Sequence, residues 1–360
     1  MKKSARKVLT LVAASAMVLV MTAACAAPAP SPPPAAQAPA DAAPADTPTG
    51  AAGVNDDRVF TIATVVKLTG VGWFDRMEEG VNRFAAETGH DAFQTGHITA
   101  DPAEQVRIIE DLIAQGVDAI AVVPNSTASL EGVLARAMDA GIVVISHEAT
   151  DIQNAHFNIE AFTNEDYGAL FMRTLGELMG GEGTYTAFVG SLTATSHNEW
   201  VDASIAYQEA NFPNMVNVAG RNESAEDPVV AYNRTLELLR TYPDLRGFQG
   251  SAGSDVAGIG RAIEELGLVN ETFVVGTSIP SVAGQFLESG AIDMIAFWDP
   301  ADAGFAMNEL ALRVLRGEEI YDGMSLTAAG YQNMTLVDGM FFFGNASVAV
   351  TVDNMHEYPF

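Results

Sequence analysis

Val59-Phe60-Thr61-Ile62-Ala63-Thr64-Val65-Val66 is a largely apolar run of strand length, closed by Lys67-Leu68-Thr69-Gly70-Val71-Gly72-Trp73-Phe74 and then a helical pattern. The same grammar repeats downstream. Strand-length runs recur at Ala119–Val123, Ile142–Ile145, Thr184–Val189, around Phe248, at Phe273–Val275 and at Met294–Trp298. Between them Val106, Ile109, Leu112 and Ile113 share one helical face, as do Leu130, Val133, Leu134, Ala137 and Met138. Gly116, Gly141 and Gly267 follow helix ends, where a left-handed backbone is needed. Near-continuous Val/Ile strands alternating with helices predict an α/β fold of parallel sheets covered on both faces.

These are too many βα units for one comfortable open sheet. The pattern predicts two doubly wound parallel-sheet lobes joined by a hinge, divided near residues 148–152, where Glu148-Ala149-Thr150-Asp151 breaks the rhythm. Ligands of such sheets bind beyond the carboxyl ends of the strands, so the cleft between the lobes is the expected site.

The residues at those strand ends are polar or aromatic. Trp73 and Phe74 stand where the first helix begins, offering aromatic contact to a sugar ring, and Lys67 offers a donor or a charge; the bland alternative puts Phe74 in the core and Lys67 in solvent. Asn125 lies in a turn whose Ser126 and Thr127 suit a helix cap. Glu148 could accept two hydrogen bonds from neighbouring hydroxyls, or be a solvated hinge acid. In the second half, Ser196, His197, Ser251, Gly253 and Ser278 open helices, and Trp298 and Asp299 end a strand. Capping explains many of these Ser and Asp residues one by one, but their recurrence in both halves suits a cleft.

The chain has 360 residues, with 18 Lys+Arg against 46 Asp+Glu and a formal charge of −28, which disfavours nucleic-acid binding. Its one cysteine excludes a disulfide framework or a cysteine-based zinc cluster within the chain, and no HExxH occurs among six His. No metal or cofactor is implied. The phosphate-loop pattern GxxxxGK[ST] and the GxSxG elbow are also absent.

The amino terminus describes an export signal. MKKSARK carries four positive charges, Val8 to Met21 is almost wholly apolar, and Ala23-Ala24 precede the lone Cys25. Residues 1–24 therefore read as a signal peptide, and Ala-Ala-Cys resembles a bacterial lipobox, which implies acylation of Cys25. Thr22 stands where that pattern usually has an aliphatic residue; ordinary cleavage nearby and an uncleaved anchor are the alternatives. Cutting before Cys25 removes four basic residues, leaving 14 − 46 = −32. Residues 25–57, rich in Ala and Pro with Pro-Pro-Pro at 32–34, read as an extended, disordered tether. The expected location is the cell envelope, membrane-anchored and facing the periplasm or the exterior.

From about Phe60 to Phe360 the chain resembles the type I periplasmic sugar-binding proteins of ABC importers, especially the subgroup of autoinducer-2 and rhamnose binders. The resemblance rests on Val66–Phe74, Gly116-Val117-Asp118-Ala119-Ile120, Asn198-Glu199-Trp200-Val201, Tyr242-Pro243-Asp244-Leu245, Trp298-Asp299 and the tail from Asp353 to Phe360. It implies a substrate-binding protein that closes on a monosaccharide or polyol and delivers it to membrane permease subunits, with a monomer as the expected unit. Lys67 matches the ligand lysine of the autoinducer-2 binders. Glu148 replaces an expected aspartate, Ser196-His197 replaces Asp-Gln, and Ser251-Ala252-Gly253 replaces Pro-x-Ala, so the resemblance implies transport without naming the ligand. Three crossings between lobes are implied, suggesting 58–150 plus 299–325 as lobe one and 151–298 plus 326–360 as lobe two.

Two other functions stay open: an autoinducer-2-like or chemosensory sugar receptor, and, more remotely, an exported hydrolase. For the latter, neighbours Ser196 and His197 diverge by about 100° on a helix, and Glu148 with Asp299 would need the roughly 5–9.5 Å carboxyl separation of a glycosidase pair.

Overall fold

The computed structural model describes residues 58–360; the expected signal peptide, Cys25 and tether lie outside the described residues. The elements run β1 (Thr61–Val65), α1 (Gly72–Thr88), β2 (Asp91–Thr95), α2 (Pro102–Gln115), β3 (Ala119–Val122), α3 (Thr127–Asp139), β4 (Val143–Ser146) and β5 (Phe157–Glu160). They continue with α4 (Asn164–Leu178), β6 (Glu182–Val189), α5 (Thr195–Asn211), β7 (Asn214–Glu223), α6 (Pro228–Thr241), β8 (Leu245–Gly250), α7 (Asp255–Leu266) and β9 (Phe273–Thr277). Last come α8 (Pro280–Ser289), β10 (Met294–Phe297), α9 (Pro300–Leu315), β11 (Thr335–Val337), β12 (Phe341–Phe343) and β13 (Val348–Val350).

Two sheets result, ordered β11-β12-β5-β4-β3-β1-β2 and β13-β10-β9-β8-β6-β7. All neighbouring strands are parallel except β11 beside β12 and β13 beside β10. Ile62 and Phe60 face α1 and α9, whereas Ala63, Val65, Ile120 and Val122 face α2 and α3. Both sides are therefore apolar, as covered parallel sheets require. Gly116, Gly141 and Gly267 hold φ of 73°, 81° and 70°, ending their helices as the sequence predicts.

Sheet membership corrects the expected lobe boundaries. The break at 148–152 is not the crossing: β5 still pairs in parallel with β4, so the first lobe runs on to about residue 160. The segment expected in lobe two after residue 325 also returns to lobe one, because β12 pairs with β5 and β11 with β12. Only from β13 onward does the tail belong to the second sheet. The chain thus crosses at 161–163, 298–299 and 344–347. The polarity of β5 hides it from a hydrophobic reading. Its Asn158 and Glu160 are buried but hydrogen-bonded, Asn158 to the Ser146 hydroxyl and Glu160 to the Ala149 amide.

Candidate functional site

The turns after β1 and β4 in lobe one meet those after β6, β7 and β8 in lobe two. Lys67, just past β1, is buried, and its Nζ donates to Glu148 Oε2 at 2.6 Å. Glu148 holds φ 56°, a left-handed conformation unusual for a side-chain-bearing residue, and that backbone turn aims its carboxylate inward. From the opposite lobe, the Ser196 hydroxyl donates to the same Oε2 at 3.2 Å, and His197 Nε2 lies 3.3 Å from Lys67 Nζ. Glu226 Oε1 approaches Lys67 Nζ to 3.7 Å.

Ser196 and His197 are adjacent, yet both reach this cluster because they occupy the first turn of α5, which points end-on at the cleft. They form no nucleophile–base pair: Ser196 donates to Glu148 and His197 Nδ1 accepts from the Gly190 amide at 3.1 Å.

Burial most strongly opposes ionisation of the Glu148 carboxyl, but the charge and hydrogen bond of Lys67, together with His147 and His197, bring its pKa down to about 2. Burial would likewise lower the Lys67 pKa, yet Glu148 and Glu226 leave it raised above its ordinary value. Burial first, then the charge of Lys67, depresses His197 well below a free histidine. Burial raises Glu226, with Lys67 opposing. Two further carboxyls surround the cluster: burial pushes Glu160 up to about 8 and Asp255 up to about 7.

Aromatic rings form the floor. Trp73 meets Trp298 edge-on with centroids 4.7 Å apart, and Trp298 in turn packs against Phe162 and Trp200. Trp298 Nε1 donates to His147 Nε2 at 3.1 Å. Trp73 also crosses to lobe two, where a Cβ built on Gly253 would lie 3.1 Å from its ring. Ser278 Oγ donates to the Gly253 carbonyl at 2.7 Å, and Asp255 Oδ2 accepts the amides of Ser251 and Ala252, so this turn is braced from both sides. The Ser251 hydroxyl points to the His197 carbonyl at 3.5 Å. Asn125 Nδ2 donates to the Lys67 carbonyl at 2.9 Å, fixing the loop that carries the ammonium.

Two expected site residues are turned elsewhere. Phe74 is buried in the lobe-one core beneath α1, since one step along the helix rotates it about 100° from Trp73. Asp299 caps α9 through the Ala301 amide and grips Arg76 with both carboxylate oxygens, at 2.9 and 2.7 Å. It lines a cavity of about 300 Å³ with Phe297, Tyr358 and Phe360, away from Lys67 and Glu148.

Glu226 is the member that the sequence reading passes over. It follows β7, an edge strand with alternating exposure and polar Asn217, Arg221 and Asn222, and so without a continuous apolar run. The rule of looking beyond strand ends would have found it had β7 been recognised. Ala225 and Glu226 hold φ 55° and 59°, a second left-handed turn in the cleft. Glu226 also separates two seam cavities, one of about 210 Å³ beside Asn125 and Gly190, another of about 270 Å³ beside Trp73 and Gly253. Among the described residues, no group of three or more His, Cys, Asp or Glu side chains is placed to hold a metal ion.

This arrangement can surround a small solute with donors, acceptors and ring faces from both lobes. Known proteins share the framework. The chain is 25% identical over 257 residues to the D-allose-binding periplasmic protein of Escherichia coli K12, covering 67% of this chain and 80% of that protein. The solved structure of LsrB from Clostridium saccharobutylicum in complex with AI-2 superposes with a TM-score of 0.77 at 20% identity, covering 83% of this chain and all of that one. A Clostridium phytofermentas ABC transporter solute-binding protein with bound L-rhamnose gives 0.76 at 19% identity, covering 84% and 98%. The model of the periplasmic binding protein domain matches residues 62–319, well over half the length, and the chain belongs to that family.

Proposed function

We propose that this protein is the extracytoplasmic substrate-binding component of an ABC importer, capturing a monosaccharide or polyol between its lobes and presenting it to the permease. The observation that carries the reading is the interlobe cluster of Lys67, Glu148, Ser196, His197 and Glu226 over the Trp73–Trp298 floor. Hydroxyls need such mixed donors and acceptors, and the C–H faces of a sugar suit aromatic rings. The sugar names carried by its relatives support the same class. A ligand favours closure only by its difference in affinity for the open and closed forms, and here both lobes contribute contacts.

Delivery from outside the membrane accords with the amino-terminal pattern, and the reading includes export, acylation of Cys25 and a tether over residues 25–57, with a monomer as the working unit. Cys25→Ala should release the protein from membranes into the soluble envelope fraction. Unchanged membrane retention would instead favour an uncleaved anchor.

The central test is a thermal-shift screen of the purified protein against pentoses, hexoses, deoxysugars, polyols and autoinducer-2. A ligand at a hundred times its dissociation constant stabilises by about 2.7 kcal/mol, a readily measured rise in Tm. Silence across the panel from well-folded protein would refute the sugar or polyol reading.

A further inference from the structure

Two histidines flank the buried Lys67–Glu148 pair, and their hydrogen bonds define both ring tautomers. An indole N–H can only donate, so His147 Nε2 accepts from Trp298 and its ring proton sits on Nδ1. That proton goes to the Ile159 carbonyl, 2.5 Å away, and the ring has no remaining capacity. His197 has the opposite tautomer. Its Nδ1 accepts the Gly190 amide at 3.1 Å, which leaves the ring proton on Nε2.

Nε2–H of His197 then points at Lys67 Nζ, 3.3 Å away, and an ammonium has no lone pair to offer. Glu148 Oε2 stands 3.9 Å from Nε2, outside hydrogen-bond reach, and already accepts from Lys67 and Ser196. Deprotonating Lys67 would remove the conflict, but Glu148 and Glu226 hold its proton in place. One donor from each lobe therefore aims at the same space.

We propose that Lys67 Nζ and His197 Nε2 form a two-donor cradle for a single oxygen acceptor of an uncharged ligand, a carbonyl, ring or hydroxyl oxygen, while Glu148 and Glu226 accept from the hydroxyls beside it. The proposal rests on the solute-binding reading and specifies what the site selects. Sugar acids and sugar phosphates are rejected: Glu148 at 2.6 Å and Glu226 at 3.7 Å already neutralise the one ammonium, and a further buried anion would have no counterion. The oxygen also couples binding to closure. Without it, closing the lobes brings two N–H donors, one of them cationic, against each other; with it, each donor gains an acceptor.

The test begins with histidine-labelled full-length protein and long-range proton–nitrogen NMR. His197 should be neutral with its proton on Nε2 at pH 7, and the sugar found by the thermal screen should shift the Nε2 resonance. Monodeoxy analogues of that sugar should include one that binds roughly 10- to 100-fold more weakly, the loss expected for a charge-assisted hydrogen bond. In His197→Ala that penalty should fall by roughly 2- to 10-fold, the share of a neutral donor, with Lys67 keeping the remainder, and His197→Gln, which retains an N–H donor, should restore it. An imidazolium or an Nδ1-protonated His197 at pH 7 overturns the cradle while leaving sugar binding intact. The same holds for an undiminished deoxy penalty in His197→Ala, or for a sugar acid that binds more tightly than its parent sugar. The expected tautomer with no ligand in the whole panel defeats the solute-binding reading, and the cradle with it. Should His197→Ala fail to fold, the NMR and analogue series on the unaltered protein still decide.

Discussion

Lys67 and Glu148 illustrate how a charge survives inside this fold. Both are nearly inaccessible, so each depends on the other for compensation. Removing one partner strands the other, and such breaks typically cost about 3–5 kcal/mol. Glu148→Gln should therefore lower the urea midpoint substantially, while the double exchange Lys67→Met with Glu148→Gln should recover much of the loss; a single variant as stable as wild type would show that the pair is solvated. Glu160 gives a pH signature. Its folded pKa, pushed up to about 8 by burial, exceeds its ordinary 4.5, so the folded protein keeps a proton that the unfolded chain releases. Its stabilising contribution is full below pH 4.5 and declines as pH rises towards 8. Asp255 acts with the same sign up to about pH 7, whereas buried neutral His147 and His197 act oppositely below about 6.5. Comparing Glu160→Gln with wild type isolates the one group: the stability of the variant relative to wild type should rise between pH 5 and 8.5. A flat difference would mean that Glu160 titrates as an ordinary carboxyl.

Among the elements, what the sequence discloses follows from where each strand lies. The interior strands β1, β3, β4, β9 and β10 are almost wholly buried and read as apolar runs. Those passed over are mainly edge strands, β2, β7, β11 and β13, whose outer sides meet water and dilute the pattern. The site follows the same logic. Lys67, Glu148, Ser196 and His197 follow well-read strands and were legible, whereas Glu226 follows an edge strand. Asp299 faces away from the cluster because its capping of α9 and its ion pair to Arg76 depend on the packing of α1 against α9, which no local pattern encodes. That packing turns on Gly80, whose added Cβ would stand 1.8 Å from the Ala301 carbonyl oxygen. Gly80→Ala must push α9 off α1, and we expect a loss of about 3 kcal/mol, the upper end of overpacking effects. A circular-dichroism melt unchanged from wild type would contradict so close a helix crossing.

For the molecule as a whole, the lobes are held together by polar contacts as well as by the shared aromatic floor. Beyond the Lys67 cluster, Thr127 meets Thr195 at 3.2 Å, and Thr150 donates to Glu199 at 2.6 Å. These hydroxyl contacts exchange readily with water when the lobes part, whereas the approach of Trp73 to Gly253 is steric. A methyl group at Gly253 would lie 3.1 Å from the Trp73 ring, closer than carbon atoms ordinarily pack. The two residues belong to different lobes, so the strain exists only when they are together and is subtracted directly from the free energy of closure. Overpacking of this kind costs about 1–3 kcal/mol, and about 1.4 kcal/mol is tenfold in an equilibrium. Gly253→Ala should thus weaken sugar binding roughly tenfold or more without lowering the Tm of the ligand-free protein. Small-angle scattering at a sugar concentration that saturates wild type should then report a larger radius of gyration for the variant. Equal affinity and equal radius would mean that the indole slides aside freely, and that Trp73 does not set how far the lobes can close.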